Sequence, residues 1–102
     1  MMKQFILDAI NENESIFKNI SIYIGENPEL GHEEFKACKI LTDTLKEHQF
    51  AVETGICDLP TAFKATFDSG KIGPVIGFMA EYDALPELGH ACGHNLIGIV
   101  VI

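Results

Sequence analysis

The sequence predicts an α/β layer fold, on three observations. Apolar residues recur at helical spacing over two stretches in the first half, Phe5–Ile24 and Glu33–His48. The period then shortens to that of strands. Beyond a glycine-rich turn comes a continuous apolar run, Val75-Ile76-Gly77-Phe78-Met79-Ala80, as expected of a central strand buried on both faces.

In the first stretch Ile16, Ile20, Tyr23 and Ile24 share one helical face, and Phe5, Ile6 and Ala9 extend it upstream. The polar run Asn11–Glu14 is a weak spot. Gly25-Glu26-Asn27-Pro28-Glu29-Leu30-Gly31 punctuates the chain, since a helix interior tolerates neither the proline nor two glycines. The second helix has an acidic start at Glu33 and Glu34 and a stripe of Phe35, Cys38, Leu41 and Leu45 to bury. Phe50–Thr54 is a short strand candidate. Thr61–Phe67 alternates, with Phe63, Ala65 and Phe67 on one face, and Asp68–Pro74 is the turn before the apolar run. The expected order is two helices followed by about three strands.

Asn95-Leu96-Ile97-Gly98-Ile99-Val100-Val101-Ile102 reads as the beginning of a buried element with no polar cap behind it. Domains seldom leave such a stretch uncovered. Residues 1–102 are therefore expected to be part of a domain, truncated at this point.

Composition narrows the function. The net charge is −8, from 15 acidic and 7 basic residues, which disfavours nucleic acid and anionic membrane as partners. The three cysteines, Cys38, Cys57 and Cys92, are odd in number and have no paired spacing, which suits a reducing compartment. The N-terminal apolar run is too short for a signal peptide and Leu96–Ile102 is far too short to span a bilayer. The expected location is the cytoplasm.

Polar residues crowd directly after the apolar run, where sites form in open α/β sheets: Glu81-Tyr82-Asp83-Ala84-Leu85-Pro86-Glu87-Leu88-Gly89-His90-Ala91-Cys92-Gly93-His94-Asn95. Glu81 and Asp83 fall on one side of an extended chain. His90, Cys92 and His94 alternate with the small residues Ala91 and Gly93, which let the backbone come close to an ion. Thiolate and imidazole suit zinc, and a nearby carboxylate can complete the shell, bridge to a second ion or fix an imidazole tautomer. Spacing alone is equally compatible with two ordinary histidines beside a small buried thiol. A nucleophilic Cys92 fits less well, because His90 and His94 are too near in sequence to serve easily as its base. His32 and His48 read as exposed helix-end residues, Cys38 as core, Cys57 as a loop residue and Glu87 as solvated.

The motif EYDALPELGHACGHN, with ENPELGHEEFKA upstream, resembles the aminoacylase/carboxypeptidase amidohydrolases, metallopeptidase family twenty. The resemblance runs from about Ile16 to Gly98. It lies nearest the aminoacylase-like dipeptidase and aminobenzoyl-glutamate hydrolase branch. It implies the N-terminal part of an α/β catalytic domain with two divalent ions, usually zinc and sometimes manganese. Cys92 and His94 would be ligands, and Asp83 would support the site from behind them. Glu81 falls near a position where other branches place a metal-binding histidine, and His90 matches a recurrent residue without an assigned role. Relatives often carry aspartate where this chain has Asn95. The implied reaction is hydrolysis of amide bonds in small N-acyl amino acids or dipeptides by metal-activated water. The general base, the remaining ligands and a lid domain with homodimer contacts would lie downstream, so this chain alone is expected to be inactive. Two other readings stand beside it: a non-catalytic module in which His90, Cys92 and His94 hold a structural ion, and an interaction module using the apolar C-terminal end.

Overall fold

A computed structural model describes residues 2–102. The elements are α1 (Met2–Glu12), α2 (Glu14–Glu26), α3 (Phe35–Glu47), β1 (Ala51–Thr54), a 3-10 turn at Ile56–Asp58, β2 (Phe63–Thr66) and α4 (His94–Val101). The chain is thus mixed α/β.

The first helical stretch breaks at Asn13, inside the polar run. The Asn13 side-chain amide donates to the Ala9 carbonyl at 2.8 Å, and its backbone leaves the helical region at φ −104° and ψ 9°. Asparagine competes with helix hydrogen bonds in this way. Two of the seven residues of the expected apolar face are buried. Ile20 and Ile24 are in the core, whereas Ile16 and Tyr23 remain partly exposed, and α1 buries none of its residues, Phe5, Ile6 and Ala9 included. Helical spacing shows which residues share a face, but a face is buried only where another element covers it, and among the described residues none covers α1.

Helix α3 buries Ala37, Cys38, Leu41 and Leu45. Phe35, expected in that stripe, is exposed, because it opens the helix before the covered turns begin. The buried hydroxyls of Thr42 and Thr44 are satisfied by the carbonyls of Cys38 and Ile40, at 2.8 and 2.7 Å. The helix start is not capped by Glu33 or Glu34. The Glu29 carboxylate, from the preceding junction, accepts the Lys36 and Ala37 amides at 3.0 and 2.9 Å.

Strands β1 and β2 pair antiparallel, from Ala51 opposite Thr66 to Thr54 opposite Phe63. Phe63 turns inward and stacks on Tyr82 with ring centroids 5.9 Å apart. The core is Ile20, Ile24, Ala37, Cys38, Leu41 and Tyr82, flanked by Ile40, Phe63, Ile99 and Ile102. Complete burial of Ile24 and Leu41 is worth about 1.5–3 kcal/mol for each side chain.

The third expected strand does not form. Residues 75–80 carry no ladder, and Val75 and Met79 are 99% and 94% exposed. A strand exists only through hydrogen bonds to a neighbour, and among the described residues no other strand lies beside this one. The apolar run after Asn95 is a helix rather than a wholly buried element. α4 sets Gly98 against Leu41 and Tyr82 and adds Ile99 to the core, while Leu96 and Val100 face outward. Among the described residues no helix is long and apolar enough to cross a membrane.

Candidate metal centre

The site is built on residues 81–84 and the start of α4. Tyr82 and Ala84 are buried, so alternation along an extended backbone sends Glu81 and Asp83 the other way. Both buried residues are tethered. The Tyr82 hydroxyl donates to the Thr61 carbonyl, and the Ala84 amide donates to the Glu29 carbonyl at 2.6 Å. Asp83 sits between these two anchors.

The chain then turns through Leu85–Gly89, closed by the Leu85 amide on the Gly89 carbonyl at 2.9 Å. Gly93 adopts a left-handed conformation, φ 74°, that side chains rarely enter, and α4 begins at the next residue. This places His94 in the first helical turn, facing the strand-like segment. Its Nδ1 lies 2.8 Å from Asp83 Oδ1 and 3.1 Å from the Asp83 carbonyl oxygen. Its Nε2 lies 3.1 Å from Glu81 Oε2. Ionised carboxylate and carbonyl oxygens only accept, and a neutral ring has one proton to offer; Nδ1, with two Asp83 acceptors at 2.8 and 3.1 Å against a single oxygen of the exposed Glu81 at 3.1 Å, is the better place for it, which leaves the Nε2 lone pair on the Glu81 side. One donor atom each from Glu81, Asp83 and His94 lies within 4.8 Å of the others.

Of the residues singled out in the sequence, the structure joins Glu81, Asp83 and His94. Cys92 is exposed and is not part of that cluster. His90 turns inward, with both ring nitrogens buried and without a hydrogen-bond partner. Burial pushes its pKa down, and the neighbouring His94 adds to this. Asp83 opposes the shift, as does the Ile24 carbonyl, which is near the ring but outside hydrogen-bond geometry. Nothing in the sequence marks Glu29 as a site residue. Its two contacts reach seven and eight residues along the chain, beyond any local capping pattern.

No family model matches the chain. Individual proteins do. It is 36% identical over 112 residues to a component of the p-aminobenzoyl-glutamate hydrolase of Escherichia coli (strain K12), covering 93% of this chain and 23% of that protein. It is 36% identical over 111 residues to the Xaa-Arg dipeptidase of Homo sapiens, covering 98% of this chain and 26% of that protein. Thermostable carboxypeptidase 2 of Saccharolobus solfataricus is 32% identical over 100 residues, with 84% and 25% covered. The chain belongs to the metallopeptidase family-twenty amidohydrolases. The two relatives first named match the branch that the motif resembles. The chain spans about a quarter of the length of these family members.

The donors present suit the divalent ion that the family implies. Oxygen and nitrogen ligands lie about 2.0–2.2 Å from zinc, so two donors sharing an ion stand about 3–4 Å apart. Glu81 Oε2 and His94 Nε2 are already 3.1 Å apart. Asp83 occupies the far side of the same imidazole, where a carboxylate fixes ring orientation and raises ligand basicity.

Proposed function

We propose that this chain carries one wall of a metal-dependent amidohydrolase centre that cleaves amide bonds in small N-acyl amino acids or dipeptides. The observation that carries the reading is His94 held by Asp83 on Nδ1 while Nε2 faces Glu81. His94 Nε2 is a ligand, Glu81 a further donor, and Asp83 orients the ring. Cys92 is assigned as the thiolate ligand on its place in the His-Ala-Cys-Gly-His motif and the family resemblance, not on a contact. When bound, a divalent ion such as zinc or manganese, two of them by family resemblance, supplies the Lewis acidity that polarises the amide carbonyl and lowers the pKa of water. The remaining ligands, the general base and the lid with its dimer contacts belong to the three quarters of its relatives' length that this chain does not span. The whole enzyme is a cytoplasmic homodimer on this reading, and residues 1–102 alone are inactive.

Titration of the purified chain with Co²⁺ and Zn²⁺ tests the ligand set. His94→Ala should weaken binding at least about tenfold, and Cys92→Ala should remove the sulfur-to-cobalt charge-transfer band. Equal binding by wild type and His94→Ala would overturn the assignment. In a panel of N-acyl amino acids and dipeptides with zinc, the chain should show no turnover above its Cys92→Ala variant.

A further inference from the structure

We propose that Glu29 is a positioning residue of this centre, setting where Asp83 meets His94. The consequence for metal binding rests on the reading above; the positioning itself does not.

Glu29 makes contacts in two directions. Its carboxylate bridges the Lys36 and Ala37 amides, with Oε2 at 3.0 Å and Oε1 at 2.9 Å. These are first-turn donors of α3, which have no partner inside the helix. Its own carbonyl accepts the Ala84 amide at 2.6 Å. Between Thr66 and Ala84 this is the only backbone–backbone hydrogen bond among the described residues. Besides the Tyr82 hydroxyl on Thr61 and the His94 ring on the Asp83 carbonyl, the segment that presents Glu81 and Asp83 is therefore tied to the body, backbone to backbone, at Glu29.

Any residue at position 29 would offer a carbonyl, but that carbonyl has a fixed place only because the side chain is pinned to α3. The upstream side is pinned too, since Asn27 donates its backbone amide to Tyr23 and Ile24 at the end of α2. Pro28 between them has its φ locked by its ring. The junction also runs directly beside the carboxylate it serves: a Cβ built on Gly31 would lie 3.8 Å from Asp83 Oδ2. The helix junction is thus a rigid bracket. One arm reaches α3 and the other holds the residue next to Asp83.

The test uses ¹⁵N-labelled full chain and long-range ¹H–¹⁵N spectra of the His94 ring, which report the tautomer without any metal. At a pH where the ring is neutral, wild type should show the proton on Nδ1. Glu29→Ala should give mixed tautomers, and Glu29→Gln, which keeps one acceptor, should restore most of the wild-type pattern. Ile20→Val, a core truncation with similar loss of thermal stability, should leave the pattern unchanged. Zinc affinity should fall roughly tenfold in Glu29→Ala and stay put in Ile20→Val. A wild-type His94 signature in Glu29→Ala, or an equal disturbance in Ile20→Val, overturns the proposal. Should Glu29→Ala fail to fold, Glu29→Asp, whose shorter arm cannot span both amides, decides on the same readout. If the tautomer scrambles but wild type binds no zinc, the positioning role stands and the metal reading falls.

Discussion

Cys38 and Tyr82 are the buried ionisable side chains of the core, and both are held neutral. Burial raises the Cys38 thiol above its ordinary 9.0, and burial followed by the neighbouring Cys38 raises the Tyr82 phenol well above 10.0. In the unfolded chain both groups lose their protons first. The unfolded state then binds fewer protons than the folded state, so stability falls as pH rises past about 9, and these groups add no pH dependence below that. Urea midpoints at about pH 7.5, 9 and 10.5 should fall in that order, and Cys38→Ala with Tyr82→Phe should shrink the drop. At this scale part of the candidate site shows in the sequence. Asp83 and His94 were legible because their motif fixes both residue type and order. Their contact was not, because it depends on the turn at Leu85–Gly89 and on the left-handed Gly93. In the sequence Glu29 shows only as part of a helix junction, since nothing near it in the chain hints at Ala84.

The elements show the same division between local and distant causes. Helices α2 and α3 and the β1–β2 pair lie where periodicity puts them. The break at Asn13 follows its polar flank. Residues 75–80 carry the composition of a central strand, but composition cannot supply the neighbours that a ladder needs. Glycines at the start of α4 and within it give a paired prediction. At Gly93 the left-handed backbone makes Ala costly, by about 1–2 kcal/mol, and its strain falls on His94. Gly98 is inside the helix with no positive φ, and a Cβ there would meet Leu41 Cδ1 at 3.6 Å, an ordinary contact. Gly98→Ala should therefore stabilise by about 0.5–1 kcal/mol. Thermal unfolding should raise Tm for Gly98→Ala and lower it for Gly93→Ala; the reverse order would refute this account of α4.

The molecule as a whole is looser than its length requires. Its Cα radius of gyration is 14.5 Å, against about 13 Å for a compact chain of this size. Two features fit the excess: α1, none of whose residues is buried, and the unpaired, almost wholly exposed stretch 72–80. Amide hydrogen exchange should accordingly be split. Residues 37–45 of α3 should be the slowest, and 72–80 should exchange at nearly the rate of an unstructured peptide. Strong protection across 75–80 would mean that the segment finds a hydrogen-bonding partner in solution.

That uncovered run has a colloidal consequence. Val75–Ala80 is six residues without a charge, with Val, Ile, Phe and Met among them, on a chain of net charge −8 and pI near 4.8. Mutual repulsion between like-charged copies is what keeps such ribbons from zipping together edge to edge. Strong brine shortens the reach of that repulsion to about 3 Å at 1 M, and mild acid removes it altogether. The polypeptide is thus best kept dilute, alkaline of neutrality by a small margin, and low in salt.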